Sequence, residues 1–267
     1  MSIIDDISPS STEAEDIRIN LQDNGVLHME MNRPKKFNAL NWSMYEAMKT
    51  TLNEAKENPQ VKAVLWSGKG AMFCSGNDLS MFKQAAEKPQ EMAARAKMVL
   101  EGFVDAFITF PKPIVAQVQG PAIGIAVTML GLCDLVYAKE NVTFQTPFPQ
   151  TAQSPEGCSS YLFPAILGPA RANAMLLLGE KVTAKQAYDF GLVTQVFGHD
   201  FDRQVLTRVN TLVARPPLAL QQSKQLIKSH TMEELRKINR KECELLEQLW
   251  VADECLNAMV EFATRKR

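Results

Sequence analysis

Short apolar runs alternate with stretches of helical period through the first half of the chain, and this alternation constrains the fold more than any other feature. Residues 17–21 and 26–31 alternate around Asn24-Gly25, which predicts a β-hairpin. Asn41 stands at a helix-cap position ahead of Met44, Met48, Leu52 and Ala55, which share one face. Residues 61–66 form an apolar strand ended by Ser67-Gly-Lys-Gly, and residues 81–110 have helical period. Residues 114–118 and 135–138 are strands with a helix expected over 124–132 between them. Strands alternating with helices imply an α/β fold, a parallel sheet covered by helices. From residue 169 the chain is mainly helical, over 170–178, 184–189, 201–214, 217–229 and 232–264, with few strands left to place. The organisation expected is a disordered acidic segment over 1–16, a core over 17–200 and a helical region over 201–267.

A length of 267 residues suits one α/β unit with a helical appendage. A net charge of −1 and a pI near 6.3 provide no global basic field, so nucleic acid is not an expected partner. Five cysteines without a Cys-x-x-Cys pair and three histidines far apart in sequence point to neither a disulfide framework nor a metal site, and favour a reducing, intracellular compartment. Residues 113–133 carry no charge and approach the length of a membrane span, but Gln117, Gln119, Pro121 and three glycines interrupt them. A strand followed by a buried helix explains that stretch better, and no membrane span is expected. The acidic start lacks the features of a secretory signal, and the closing Arg-Lys-Arg is not a Ser-Lys-Leu type of ending.

Three segments could carry chemistry. Residues 73–79, Phe-Cys-Ser-Gly-Asn-Asp-Leu, follow a strand and precede a helix, where backbone amides emerge unpaired and can meet negative charge. A backbone donor facing a ligand carbonyl needs a small residue and an adjacent glycine; an ordinary strand-to-helix turn would look the same. In the second segment Gly120 and Gly124 bracket a tight passage from strand to helix, and Gly124 would let the Ile125 amide point at the same ligand atom. Two such donors converging make an oxyanion hole, although glycines before a helix also serve packing. The third is Glu156, the one charged residue between Asn141 and Arg171. Among Pro155, Cys158, Tyr161 and Phe163 it would be partly desolvated, with the raised pKa a general base needs; Ser154-Pro-Glu also reads as a helix start with a surface carboxylate.

Together, Asn38-Ala-Leu-Asn, Phe73-Cys-Ser-Gly-Asn-Asp-Leu, Gly120-Pro-Ala-Ile-Gly and residues 178–193 resemble the crotonase (enoyl-CoA hydratase/isomerase) superfamily, in its order and spacing from about residue 17 onward. The resemblance implies a spiral of ββα units, a helical C-terminal trimerisation region, and acyl-CoA thioesters held between two backbone amides, assigned to Ser75 and Ile125. The carboxylates that hold water in family hydratases would fall at Thr128 and Phe148, and neither side chain can do that work. Ser154-Pro-Glu-Gly-Cys-Ser-Ser resembles the peroxisomal type of Δ3,Δ2-enoyl-CoA isomerase, in which this Glu is the single acid/base, whereas the related chromodomain Y-like proteins lack it.

The activity implied is transfer of the double bond of a 3-cis- or 3-trans-enoyl-CoA to give the trans-2-enoyl-CoA of unsaturated fatty acid β-oxidation, with Glu156 as proton shuttle. No cofactor is expected beyond the coenzyme A of the substrate. The matched segments put Lys36, Ala39, Ser75, Gly76, Asn77, Asp78, Leu79, Phe82, Gly124 and Phe148 at the substrate, with Leu79, Phe82 and Phe148 in the acyl wall. Arg33, Lys35 and Lys36 are placed to meet CoA phosphates, or else form a solvated basic loop. A homotrimer or dimer of trimers in peroxisome or mitochondrion is implied, with the cytoplasm left open. Another crotonase reaction such as enoyl-CoA hydration, and a non-catalytic acyl-CoA-binding or scaffold role, are the alternatives.

Overall fold

The computed structural model describes residues 16–81 and 88–264. The hairpin forms as its Asn-Gly turn dictates, joining β1 (Ile17–Leu21) to β2 (Val26–Met31) in antiparallel register. Asn41 caps α1 (Trp42–Glu57), accepting the Met44 amide at 2.9 Å. The chain continues through β3 (Ala63–Gly68), α2 (Pro89–Thr109) and β4 (Ile114–Val118). The helix predicted from residue 81 begins at Pro89, whose missing N–H costs nothing in the first turn. Residues 82–87 of that prediction, and residues 1–15 of the segment predicted to be disordered, lie outside the described residues.

After β4 come β5 (Ala122–Ile123) and α3 (Ile125–Thr128), the latter tightening into a 3-10 turn over Met129–Leu132 where a single helix was expected. Next are β6 (Leu135–Lys139), β7 (Thr143–Gln145), α4 (Ser159–Leu167), α5 (Pro169–Leu176), β8 (Val182–Thr183), α6 (Ala184–Asp189) and β9 (Gln195–Phe197). The C-terminal quarter is α7 (Phe201–Val213), α8 (Pro217–Ser229), α9 (Met232–Trp250) and α10 (Asp253–Thr264). The last two replace the one helix expected over 232–264, with a break at Val251 and Ala252.

Among the described residues, six strands pair in the order β1-β2-β3-β4-β6-β9, parallel except for the first pair, and β5-β7-β8 form a second small sheet. β3 lies at the heart of the large sheet and is buried along its whole length. Its alternate residues serve two cores, as a period of two requires. Val64 and Trp66 join the main core, while Ala63 and Leu65 face a second core closed by Phe201, Val205, Val209 and Val213 of α7, spaced four apart on one helix face.

In the main core a chain of edge-to-face ring contacts runs from Phe73 to Trp66 at 4.9 Å, to Phe107 at 5.5 Å, to Phe103 at 5.1 Å and to Tyr45 at 4.9 Å. It stiffens the passage from β3 to α2 and α1 and ends at the phenol that fixes Asn77. Two isolated bridges, Leu40 to Asn77 and Cys74 to Ala122, stitch the loop after β3 between its neighbours and bring the candidate segments together.

Candidate active site

The predicted segments converge on a cleft of about 220 Å³. Ala39, Ser75, Gly76, Asn77, Asp78, Leu79, Gly124, Ile125, Phe148 and Glu156 all line it. Leu100 of α2 and Trp250 and Phe262 of the C-terminal helices complete the wall. A larger surface groove of about 530 Å³ lies between α2 and α9, but it holds none of the predicted residues, and its Lys97–Glu247 and Asp105–Arg236 charges are paired at 2.7 Å.

The two donor strips approach closely because Gly76, at φ +86°, faces the carbonyl of Ile123, which a Cβ would meet at 2.9 Å. The Ser75 amide donates to the Phe37 carbonyl at 3.0 Å and the Asp78 amide to the Leu40 carbonyl at 2.9 Å. Between them the Asn77 amide donates to no protein acceptor among the described residues. The Ser75 amide, expected as the donor, is thus taken up within the protein, and the open amide of this strip is that of Asn77. The Tyr45 hydroxyl donates to Asn77 Oδ1 at 2.5 Å and locks the residue. On the other strip Gly124 caps α3 at φ 60°, and the Ile125 amide, first in that helix, likewise has no protein acceptor among the described residues.

Glu156 is only 3% exposed yet lines the cleft. Its Oε1 accepts from the Thr128 hydroxyl at 3.1 Å, and its Oε2 is buried with no protein partner among the described residues. Burial, and then the charge of Glu242, push the Glu156 carboxyl well above the usual carboxylate range, while the Thr128 hydrogen bond pulls it down. A carboxylate with one oxygen held, the other open and a raised proton affinity can take a proton from a ligand and return it. Thr128, expected from the resemblance at the place of a hydratase carboxylate, thus holds the Glu156 carboxylate.

The predicted basic loop is divided. Arg33 turns inward, pairing with Asp16 at 3.1 Å and Asp78 at 3.0 Å and donating to the Ala39 carbonyl at 2.6 Å, so it braces the cleft and is not available to phosphate. Lys35 and Lys36 are exposed on the 3-10 turn Pro34–Lys36; Lys36 lies outside the cleft lining, three residues before Ala39. Phe82, expected in the acyl wall, lies outside the described residues.

Sequence reasoning missed Leu100, Thr151, Gln153, Trp250 and Phe262 in the lining, and Glu242 beneath it. The buried face of α9 runs Leu235, Asn239, Glu242, Cys243, Leu246, Trp250. A carboxylate inside that apolar stripe is the signal that could have found Glu242.

The family model described as enoyl-CoA hydratase/isomerase matches residues 22–267. Enoyl-CoA delta isomerase 2 of Rattus norvegicus is 45% identical over 91% of this chain and 62% of its own length. The Homo sapiens protein of that name is 44% identical over 96% of this chain and 65% of its own, so this chain spans less than two thirds of either relative. Enoyl-CoA delta isomerase 3, peroxisomal, of Mus musculus is 41% identical over 95% of this chain and 80% of its own length. The solved structure of Pseudomonas aeruginosa OdaA superposes with a TM-score of 0.86 at 32% identity, covering 94% of this chain and 100% of that one.

Proposed function

Because this chain belongs to the enoyl-CoA hydratase/isomerase family, we propose that it is a Δ3,Δ2-enoyl-CoA isomerase with Glu156 as its one acid/base. The observation that carries this reading is the buried Glu156 carboxylate, one oxygen held by Thr128 and the other without a protein partner among the described residues, in a cleft that also presents two amides with no protein acceptor among those residues. The relatives named enoyl-CoA delta isomerase support it.

In this reading the thioester oxygen of a 3-enoyl-CoA sits between the Asn77 and Ile125 amides, aligned before charge develops. Glu156 Oε2 takes a proton from C2, which both the carbonyl and the neighbouring double bond acidify. The C–H electron pair passes into a dienolate whose oxygen the two amides stabilise. The same carboxyl returns the proton at C4, and the double bond moves from C3–C4 to C2–C3. One carboxylate suffices because the proton leaves and re-enters on the same side of a planar intermediate. Hydration would need a second group to hold water, and Thr128 and Phe148 supply none.

Leu79, Leu100, Phe148, Trp250 and Phe262 form the acyl wall, Ala39 and Gly76 border the thioester end, and Lys35 and Lys36 meet the CoA phosphates. The substrate brings its own coenzyme A and the reaction takes no further cofactor. The five free thiols fit a reducing compartment, peroxisome or mitochondrion. The assembly proposed is a homotrimer or a dimer of trimers.

The test is Glu156→Gln assayed on 3-enoyl-CoA beside 2-enoyl-CoA. Turnover of the 3-enoyl substrate should fall by roughly 10⁴-fold or more while acyl-CoA still binds. An unchanged rate would sink the assignment, and water addition to 2-enoyl-CoA as the faster wild-type reaction would replace it with hydration.

A further inference from the structure

Glu156 is carried by an unusual turn. Gly157 and Cys158 follow it at φ +65° and φ +61°, both in the left-handed region. The glycine is required there, since a Cβ at position 157 would stand 2.6 Å from the Thr128 hydroxyl that holds Glu156. Cys158 has no such freedom, and an L side chain stays left-handed only where surrounding contacts over-determine it.

Those contacts come from the far end of the chain. Glu242 of α9 accepts the Cys158 amide at 2.7 Å through Oε2, and through Oε1 the Ser160 amide at 2.9 Å and the Ser160 hydroxyl at 2.5 Å. Ser159 closes the turn from inside, its hydroxyl donating to the Glu156 carbonyl at 2.7 Å. One buried carboxylate therefore gathers three donors at the start of α4, in the position a helix-capping side chain of that segment would take.

We propose that Glu242 is a positioning residue for the Glu156 carboxylate, clamping the left-handed turn in place and setting a negative charge behind the catalytic group. This rests on the isomerase reading above, and makes α9 part of the catalytic apparatus as well as a cover for the cleft. The other titratable groups facing Glu156 are Tyr45 of α1, Cys158 of its own turn and Cys243 of α9, and burial pushes each of them up so that they stay neutral. Among the described residues Glu242 is thus the charge that acts on Glu156. Its own three donors partly offset the upward push of burial and favour its ionised form.

The experiment is Glu242→Gln in the full chain, with kcat and KM for a 3-enoyl-CoA followed against pH. The amide leaves one donor of the turn facing an NH2 group and removes the charge. The expected kcat loss is roughly ten- to a hundredfold, with KM within about twofold. Without the negative charge Glu156 binds its proton less tightly, so the acid limb of the rate profile should move to lower pH. A limb that stays in place, with or without a loss of kcat, overturns the proposal, because a packing role alone would not move it. Should that variant fail to fold by circular dichroism, Ser160→Ala removes one donor and leaves the charge. It should lose roughly threefold in kcat with the limb unmoved, and wild-type kcat there overturns the proposal. Glu156→Gln run alongside separates the two readings: if it is active both fall, and if it is inactive while Glu242→Gln behaves as wild type only this one does.

Discussion

Thr128 has one hydroxyl proton and two acceptors within reach, Glu156 Oε1 at 3.1 Å and the Ile125 carbonyl at 3.2 Å. Donation to Glu156 favours its ionised form against burial and against Glu242, so this single group keeps the base usable at lower pH. Thr128→Val, nearly equal in shape, should raise the Glu156 pKa further and shift the acid limb of kcat/KM to higher pH. At neutral pH the rate should fall up to about tenfold, as expected for one hydrogen bond to a charged group. A pH profile that superposes on wild type would show that Thr128 is only a core residue. At this scale the sequence pointed to Glu156 because it lies in an uncharged stretch and to Ile125 because it follows Gly124. The Ser75 amide it also singled out is taken up by Phe37, and the open amide lies two residues on, at Asn77. Which amides of a strip stay open depends on which neighbouring segment takes the others, and Phe37 and Leu40 are not adjacent to Ser75 in sequence.

Among the elements, α8 is held to the core by one buried cation. Lys224 Nζ donates to Asp134 Oδ2 at 2.7 Å and to the Lys112 carbonyl at 2.6 Å. Burial, followed by repulsion from Lys228, lowers its pKa from the usual 10.5 of a lysine to about 8. The sign follows from that depression: Lys224 supports folding fully above its unfolded value, and that support is lost as pH falls through about 8. Lys224→Met should therefore flatten the stability change between these two pH values. At neutral pH it should still cost roughly 1–3 kcal/mol, because the Lys112 carbonyl loses its partner, while Asp134 keeps Lys228 and the Ile114 amide. Thermal melts of both proteins at the two ends of that window check this, each kcal/mol moving the midpoint about 2–4 °C in a chain of this size. Unchanged melting would mean α8 is anchored elsewhere. Long periodic helices such as α1 and α7 were legible in sequence. The strands β5, β7, β8 and β9 were not, since two or three residues carry no period and exist only by pairing.

For the whole molecule, Trp250 and Phe262 reach back over the chain's own cleft, and the Trp250 indole donates to Gln153 Oε1 at 3.1 Å. The C-terminal helices are thus part of the cleft wall as well as the proposed assembly region. Leu177, Leu178, Leu218, Leu226 and Ile227 are 65–75% exposed in the single chain, a large apolar area to leave in water. Ile227→Glu on α8 should weaken the proposed trimer and shift its mass toward monomer in light scattering; an unchanged mass would move the interface off this helix. The α/β class, the two glycine-bearing segments and the isolated Glu156 were legible before folding, because periodicity, glycine spacing and an uncharged neighbourhood are local properties, while the roles expected of those segments came from the family resemblance. Only the folded arrangement leaves the Asn77 amide open, brings Thr128 of α3 to the Glu156 carboxylate and Glu242 of α9 to the turn that follows it, and gives Arg33 to Asp16 and Asp78. Each of these depends on which distant group satisfies a buried donor, acceptor or charge, and folding settles that by bringing residues far apart in sequence into hydrogen-bond reach.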